Sequence, residues 1–85
     1  MISGENHNII AHYIGSDWKR LARYLEIEDC LIEAVDEEYR QLYEKAYQII
    51  RRWGQRQGNE LDSTNRIIQA LRDIQRNDIV NFLRR

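Results

Sequence analysis

The chain has 85 residues, enough for one domain with a small core. Hydrophobic residues make up 42%, proline is absent and the formal net charge is −1. This composition argues against disorder, and it gives no overall attraction to nucleic acid or to an anionic membrane. We expect one domain over residues 1–85, with residues 1–5 disordered or left over from cloning.

The cysteine content and the apolar runs indicate the compartment. Cys30 is the only cysteine, so no internal disulfide can form. No signal peptide is recognisable, and the apolar runs are too short to cross a bilayer. We therefore expect a cytoplasmic protein that does not insert into membranes.

Apolar residues recur at helical spacing along the whole chain, and none of the stretches alternates with period two. A first stripe covers residues 9–14. Gly15 follows it and can take the left-handed conformation that ends a helix. Ser16 or Asp17 can then cap a second helix. The second stripe consists of Trp18, Leu21, Ala22 and Leu25.

The third and fourth stripes follow each other without a glycine or proline between them. Their spacing alone would permit one long helix or a coiled-coil strand. One long helix would leave the flanking helices without a compact core, so we predict a break within residues 38–40. The third stripe is Leu31, Ile32 and Val35, and the fourth is Leu42, Ala46, Ile49, Ile50 and Trp53, ending near Gly58.

Two further helices complete the pattern. Asp62 or Ser63 can cap a fifth helix over residues 67–74, and Asn77 can cap a sixth over residues 79–83. The sequence thus predicts an all-α bundle of six helices. Its expected core contains Trp18, Leu21, Leu25, Ile32, Val35, Leu42, Ile50, Trp53 and Leu71.

Catalytic and metal-binding patterns have little support. His7 and His12 are five residues apart, which on a helix points them about 140° apart. Cys30 lies beside Asp29 and near Glu28, and acidic neighbours disfavour the reactive thiolate. There is no phosphate-binding glycine loop, and no carboxylate pair is marked for acid–base work. We predict no enzyme activity, no catalytic residue, no metal and no cofactor.

The aromatic residues have two interpretations. Trp18 and Trp53 lie on apolar stripes, so we predict core positions for both and keep a surface binding role as the alternative. Tyr43 and Tyr47 lie to one side of the fourth stripe. We expect them to be half exposed, and an interface role is the alternative.

Charge is segregated along the chain. Residues 26–38 contain half of the acids and no base, whereas the part from Arg51 onward contains eight of the 13 bases. A solvated surface is the simplest interpretation. Opposite patches on different sides of one molecule would instead suit docking between molecules. The acids are Glu26, Glu28, Asp29, Glu33, Asp36, Glu37 and Glu38, and the bases are Arg51, Arg52, Arg56, Arg66, Arg72, Arg76, Arg84 and Arg85.

A helix-turn-helix DNA-binding domain is a competing hypothesis, because residues 17–38 have its helix–turn–helix rhythm. The recognition helix would then carry many acids and no Arg or Lys, and the phosphates would repel it. We predict that nucleic acid is not a partner.

Four segments resemble the death domain, a six-helix antiparallel bundle of the death-fold superfamily. They are similar in order and spacing over residues 8–83, and the most specific element is Asp17-Trp18 followed by Leu21-Ala22. These segments are most similar to the death domains of Fas-associated adaptors, receptor-interacting kinases and insect immune-deficiency adaptors. The segments are IGSDWKRLARYL, IEAVDEEY, EKAYQIIRRW and IIQALRDIQRNDIVNFL.

The resemblance implies a signalling role through contacts with other death-domain proteins, in apoptosis or innate immunity and without a cofactor. Death domains stack into helical oligomers through asymmetric contacts. One implied patch, on the second and third helices, contains Arg20, Arg23, Asp29 and Glu33. Its implied counterpart, on the fourth helix and around the fifth and sixth, contains Arg52, Arg56, Arg72 and Arg76. Another helical oligomerisation module is the alternative function.

The chain departs from the family pattern at three positions. Glu28 replaces the polar cap before the third helix, often Ser. Tyr39 stands where a helix breaker is common. Gly54 falls in or just past the fourth helix, where glycine costs about 1 kcal/mol relative to alanine.

Overall fold

The computed structural model describes residues 4–56 and 60–83. These residues form six α-helices and one 3₁₀ turn, with no strand among them, so the predicted all-α bundle is confirmed. The elements are α1 (Gly4–Ile14), the 3₁₀ turn (Gly15–Asp17), α2 (Trp18–Tyr24), α3 (Asp29–Glu38), α4 (Leu42–Arg56), α5 (Glu60–Asp73) and α6 (Asn77–Leu83).

The start of α1 and the end of α4 can be compared with the boundaries expected from the sequence. Helix α1 begins at Gly4, so residues 4 and 5, which were expected to be disordered or left over from cloning, belong to a helix. Helix α4 extends to Arg56. Its predicted end near Gly58 lies outside the described residues.

Helix α4 is the centre of the packing. Its buried side chains are Ala46, Ile49, Ile50 and Trp53, which recur at helical spacing on one face. Helices α1, α2 and α3 and the 3₁₀ turn all pack against α4, and its contact with α1 is the most extensive in the molecule. Helix α6 packs on α1 and α5, and α5 packs on α2.

The expected core residues are buried with one exception. Eight of the nine, all but Leu42, are at most 5% exposed. Leu42 is 46% exposed, so its assignment to the core is wrong. Leu42 is the first residue of α4, and helical side chains lean toward the N-terminus of their helix. The leucine therefore extends past the end of the packed stripe.

The predicted break between the third and fourth helices is confirmed. Helix α3 ends at Glu38, and Tyr39 has extended backbone angles, φ −115° and ψ 147°. The Tyr39 amide still donates to the Val35 carbonyl and closes the last turn. The tyrosine side chain packs against the core, which supports the break without a glycine or proline.

At the junction between α1 and α2, the glycine conformation was predicted correctly and the side-chain cap was not. Gly15 has φ +55°, the left-handed conformation expected of it. Asp17 occupies the position before α2, but its side chain makes no capping hydrogen bond to that helix. The prediction of a side-chain cap is wrong because Asp17 is bonded elsewhere, to Arg76.

The predicted caps of the last two helices are also wrong. Helix α5 begins at Glu60, so Asp62 and Ser63 lie inside it. Asn77 is the first residue of α6 and does not precede it. The amides of Ile79 and Val80 donate to the backbone carbonyl of Arg76, which places Arg76 at the capping position.

Trp18 offers a test of the core. Its side chain is 3% exposed, so Trp18→Ala should lower the free energy of unfolding by about 3–5 kcal/mol. Small domains have stabilities near the low end of about 5–15 kcal/mol, so the variant should be largely unfolded at 37 °C. Circular-dichroism melts measure this. Tyr24→Ala is the control, because Tyr24 is 49% exposed and its loss should cost less than about 0.5 kcal/mol.

Gly54 offers a test of opposite sign. A Cβ at this position in α4 would lie 3.9 Å from the His7 ring, an ordinary contact. Gly54→Ala should therefore stabilise the protein by about 0.5–1 kcal/mol, since glycine in a helix interior is unfavourable. Gly15→Ala is the matched control and should destabilise by about 1 kcal/mol, because its φ is positive. Denaturant unfolding gives both values. A less stable Gly54→Ala variant would show that α1 and α4 cannot accept the added methyl group.

Candidate protein interface

The predicted patch on the second and third helices is exposed. Arg20 and Arg23 lie on α2, Asp29 and Glu33 lie on α3, and the two helices pack against each other. None of the four side chains forms an ion pair with another residue in the described ranges. They are free to meet opposite charges on another molecule.

The counterpart patch is divided. Arg56 on α4 and Arg72 on α5 are exposed and have no ion-pair partner in the part of the chain that the structure describes. Arg52 is half buried, and its Nη2 lies 3.3 Å from a carboxylate oxygen of Glu38. Among the arginines of the counterpart patch discussed so far, only Arg56 and Arg72 resemble the first patch in being exposed and without an ion-pair partner among the described residues.

Arg76, the fourth member of that patch, is bonded within the molecule. Its Nη2 donates to the Tyr13 carbonyl at 2.6 Å, and its Nη1 donates to the Ile14 carbonyl at 3.1 Å and to Asp17 at 3.0 Å. Nε and Nη2 also donate to Asp78, both at 3.2 Å. A guanidinium has five N–H donors, so all of them are used. The assignment of the Arg76 guanidinium to a docking surface is therefore corrected.

This arginine clamp joins three elements. The carbonyls of Tyr13 and Ile14 belong to the last turn of α1, where helix carbonyls lack intrahelical partners. The hydrogen bonds that Arg76 donates to Asp78 lower the pKa of Asp78, and these bonds, followed by the one that Arg76 donates to Asp17, raise the pKa of Arg76. The hydrogen bonds from Arg76 to the Tyr13 and Ile14 carbonyls hold the start of α6 against the end of α1.

Other acids of residues 26–38 are also paired within the molecule. Asp36 lies 2.9 Å from the Lys19 ammonium and also bonds the Lys45 ammonium, and the bond to Lys45, followed by that to Lys19, lowers the pKa of Asp36. Glu26 lies 3.7 Å from Arg66. The Glu26–Arg66 and Glu38–Arg52 pairs show that the acidic segment and the basic part of the chain meet in part within one molecule. Asp29 and Glu33 remain the free acids of the predicted patch.

Tyr43 and Tyr47 are half buried, as expected, and their rings stack with centroids 6.0 Å apart. The Tyr43 hydroxyl donates to the side chain of Asn8, and the Tyr47 and His7 rings are nearly perpendicular, with their centroids 6.3 Å apart. Partial burial lowers the pKa of His7. The two tyrosines therefore contribute to the contact between α1 and α4.

The structure shows a surface feature that the sequence did not reveal. A cleft of about 360 Å³ lies where the α2–α3 connection, α4 and α5 meet. We call it the Trp53 cleft. Its residues come from four separate parts of the chain, and the sequence stripes had assigned several of them to the core. It is lined by the apolar residues Leu25, Ile27, Leu31 and Trp53 and by the charged residues Glu26, Arg56 and Arg66.

Within residues 4–56 and 60–83, no group of three or more potential ligand side chains is placed to hold a metal ion. Nor is any helix in those ranges long and apolar enough to cross a bilayer. The Cys30 thiol is exposed, with its sulfur 3.5 Å from a carboxylate oxygen of Glu28.

The described residues form an all-α bundle with exposed charged side chains, free of ion pairs among those residues, on several helices. The family model of the death domain matches residues 7–85, and the chain belongs to that family. It is 36% identical over 76 residues to the FAS-associated death domain protein of Bos taurus and 31% identical over 77 residues to the Homo sapiens protein. It is 32% identical over 76 residues to human receptor-interacting serine/threonine-protein kinase 1.

The coverage of these alignments is unequal. They include 88%, 89% and 87% of this chain. They span 36% of each FAS-associated protein and 11% of the kinase, so the chain corresponds to only part of each relative. The death domain is a non-enzymatic interaction module. The third relative is named as a kinase, and its name is not evidence of an activity in this chain.

Arg76→Ala tests the clamp. The substitution leaves two backbone carbonyls and two carboxylates without their donor, so the free energy of unfolding should fall by about 1–3 kcal/mol. Arg76→Lys should lower the free energy of unfolding by a smaller amount. Lysine keeps the positive charge, although it cannot reach all four partners. Arg72→Ala, at an exposed arginine, should change stability by less than about 0.5 kcal/mol. Chemical denaturation compares the three variants, and an Arg76→Ala curve that overlays the wild type would contradict a structural role.

Proposed function

We propose that this chain is a signalling adaptor or assembly module. It makes homotypic contacts with other death-domain proteins, in apoptotic or innate immune signalling, and it acts in the cytoplasm. It performs no catalysis and needs no cofactor. The surface around Arg20, Arg23, Asp29 and Glu33 is one side of the contact, and Arg56 and Arg72 belong to the other.

The free charges carry this proposal. Asp36, Glu38 and Glu26 have cationic partners within the molecule, whereas Asp29 and Glu33 have none among the described residues. Exposed and unpaired charges of both signs are the groups that select a partner and fix its orientation, since like charges across an interface cost several kcal/mol. The two free acids on α3 also oppose a nucleic-acid function, because they would repel phosphate.

The relatives support the same function. The FAS-associated death domain protein is named for an association with FAS, and the kinase is named for an interaction with a receptor. Each is matched over most of this chain. A module of the same family suits the same kind of contact.

The test uses death domains from the two human relatives as probes. Purified wild-type chain should bind at least one of them in an interferometry or sedimentation assay. Glu33→Arg should weaken this binding more than tenfold, because a reversed charge meets like charge in the partner. Glu33→Gln is the matched control and should weaken it less than about fivefold, since one rim ion pair contributes about 0.2–1 kcal/mol.

Two further measurements accompany the binding assay. Both variants should melt like the wild type, because Glu33 is exposed. Binding should also weaken as the ionic strength rises from about 0.1 M to 1 M and the Debye length falls from about 10 Å to 3 Å. Self-association without binding to either probe would instead identify a constitutive oligomerisation domain. Equal binding by Glu33→Arg and wild type would remove α3 from the interface.

A further inference from the structure

The ring of His7 is half buried in the contact between α1 and α4, the most extensive contact in the molecule. Its plane is nearly perpendicular to that of the Tyr47 ring, with the centroids 6.3 Å apart. The ring also approaches Gly54, because a Cβ built there would lie 3.9 Å from both Cε1 and Nε2 of His7. One of the two nitrogens that can take up a proton therefore lies against α4.

Neighbouring contacts hold the same part of α1 against α4. The Tyr43 hydroxyl donates to the side chain of Asn8, and the rings of Tyr43 and Tyr47 stack. Tyr43, Tyr47 and Gly54 are separated by four and seven residues, which places them on one face of α4. We call His7, Asn8, Tyr43, Tyr47 and Gly54 the α1 latch. Because Tyr47 contacts both His7 and Tyr43, a change in the charge of His7 acts on the whole cluster.

The surroundings of His7 disfavour a positive charge on its ring. Partial burial lowers the pKa of His7 from its ordinary value of 6.5. His7 is the fourth residue of α1, where the unpaired amides of the first turn form the positive end of the helix dipole. Arg51 lies between Tyr47 and Gly54 along the same side of α4, and its charge opposes an imidazolium.

The other charged groups near α1 are placed less closely to His7. Glu5 and His12 are two and five residues from His7 on α1, and residues at these spacings do not share a helix face. Glu44 is one turn before Tyr47 on α4, on the side away from Gly54.

The 3₁₀ turn and α6 also pack on α1, and their charged groups lie at its other end. Asp17 and Asp78 are bonded to Arg76, which donates to the Ile14 carbonyl. Ile14 is seven residues from His7, or about 10 Å at the rise of an α-helix. These carboxylates form no ion pair with His7 and are too distant to stabilise its charged form directly.

We propose that His7 makes the α1 latch sensitive to pH: uptake of a proton by its ring loosens the first turns of α1 from the second half of α4. The neutral ring is the form that packs, so the latched state takes up the proton less readily than a solvated histidine does. The stabilisation by His7 is therefore present above a pH of 6.5, decreases as the pH falls below that value, and is lost below the lower pKa of the latched state.

The carboxylates that stabilise the fold act at a lower pH. Interactions with lysines lower the pKa of Asp36, and those with Arg76 lower the pKa of Asp78, in each case from the ordinary value of 3.8. Both groups remain ionised while His7 titrates. A loss of packing between about pH 7.5 and 5 therefore reports on histidine and not on these acids.

The test begins with the wild-type chain. An NMR titration of the His7 Cε1 proton should give a pKa below 6.5. Hydrogen exchange over the same pH range gives protection factors for residues 8–11, whose amides donate to carbonyls of the first turn of α1. Their protection should fall as the pH decreases below 6.5, by at most about tenfold per pH unit, which is the dependence for one linked proton.

Two glutamine variants separate His7 from other effects of pH. His7→Gln removes the titrating ring and should reduce the dependence to less than about twofold per pH unit. His12→Gln is the matched control, because His12 is an exposed histidine on the same helix, and it should keep the wild-type dependence.

Three results would overturn the proposal. A pKa of His7 at or above 6.5 would show that attraction of the imidazolium to the Tyr47 ring outweighs its burial. Protection of residues 8–11 that is constant with pH in the wild type would show that protonation does not loosen α1. A dependence that persists in His7→Gln would assign it to another group. The first two results come from the wild type, so they decide the proposal even if His7→Gln fails to fold.

Discussion

Every other helix in the first half of this molecule depends on one apolar face of α4. The face consists of Ala46, Ile49, Ile50 and Trp53, and α1, α2, α3 and the 3₁₀ turn pack against it. A chain of 85 residues has little surface to bury, so one shared face is an economical core. The arrangement leaves the opposite side and both ends of α4 to the solvent. Those parts carry Leu42, Arg51 and Arg56.

The sequence was sufficient for the helices and most of the core. Apolar stripes have a period set by the helix itself, so they identify Trp18, Ile32 or Leu71 as buried without knowledge of the partner helix. Leu42 has the correct phase and was still placed wrongly. Periodicity reports the direction in which a side chain points, but not whether another helix extends far enough to cover it.

Helix caps and ion pairs were harder to predict because their partners are distant in sequence. Asp17 is a good candidate for a cap by local rules, but Arg76, 59 residues away, bonds its carboxylate. Glu26, in the α2–α3 connection, forms an ion pair with Arg66 on α5. Counting charges by segment revealed the segregation of acids and bases. It could not show which charges neutralise each other, since that depends on how the helices pack.

The same limit applies to the candidate interface. A resemblance to the death domain supplied eight charged positions, and the structure places Asp29, Glu33, Arg56 and Arg72 among those free to bind. The Arg76 guanidinium is not among the groups free to bind a partner, because its five donors are used in bonds that hold α1 and α6 together. Charged residues of one surface can thus have opposite roles. A reversal at Glu33 acts on a partner without loss of fold, whereas a change at Arg76 acts on the fold and only then on any partner.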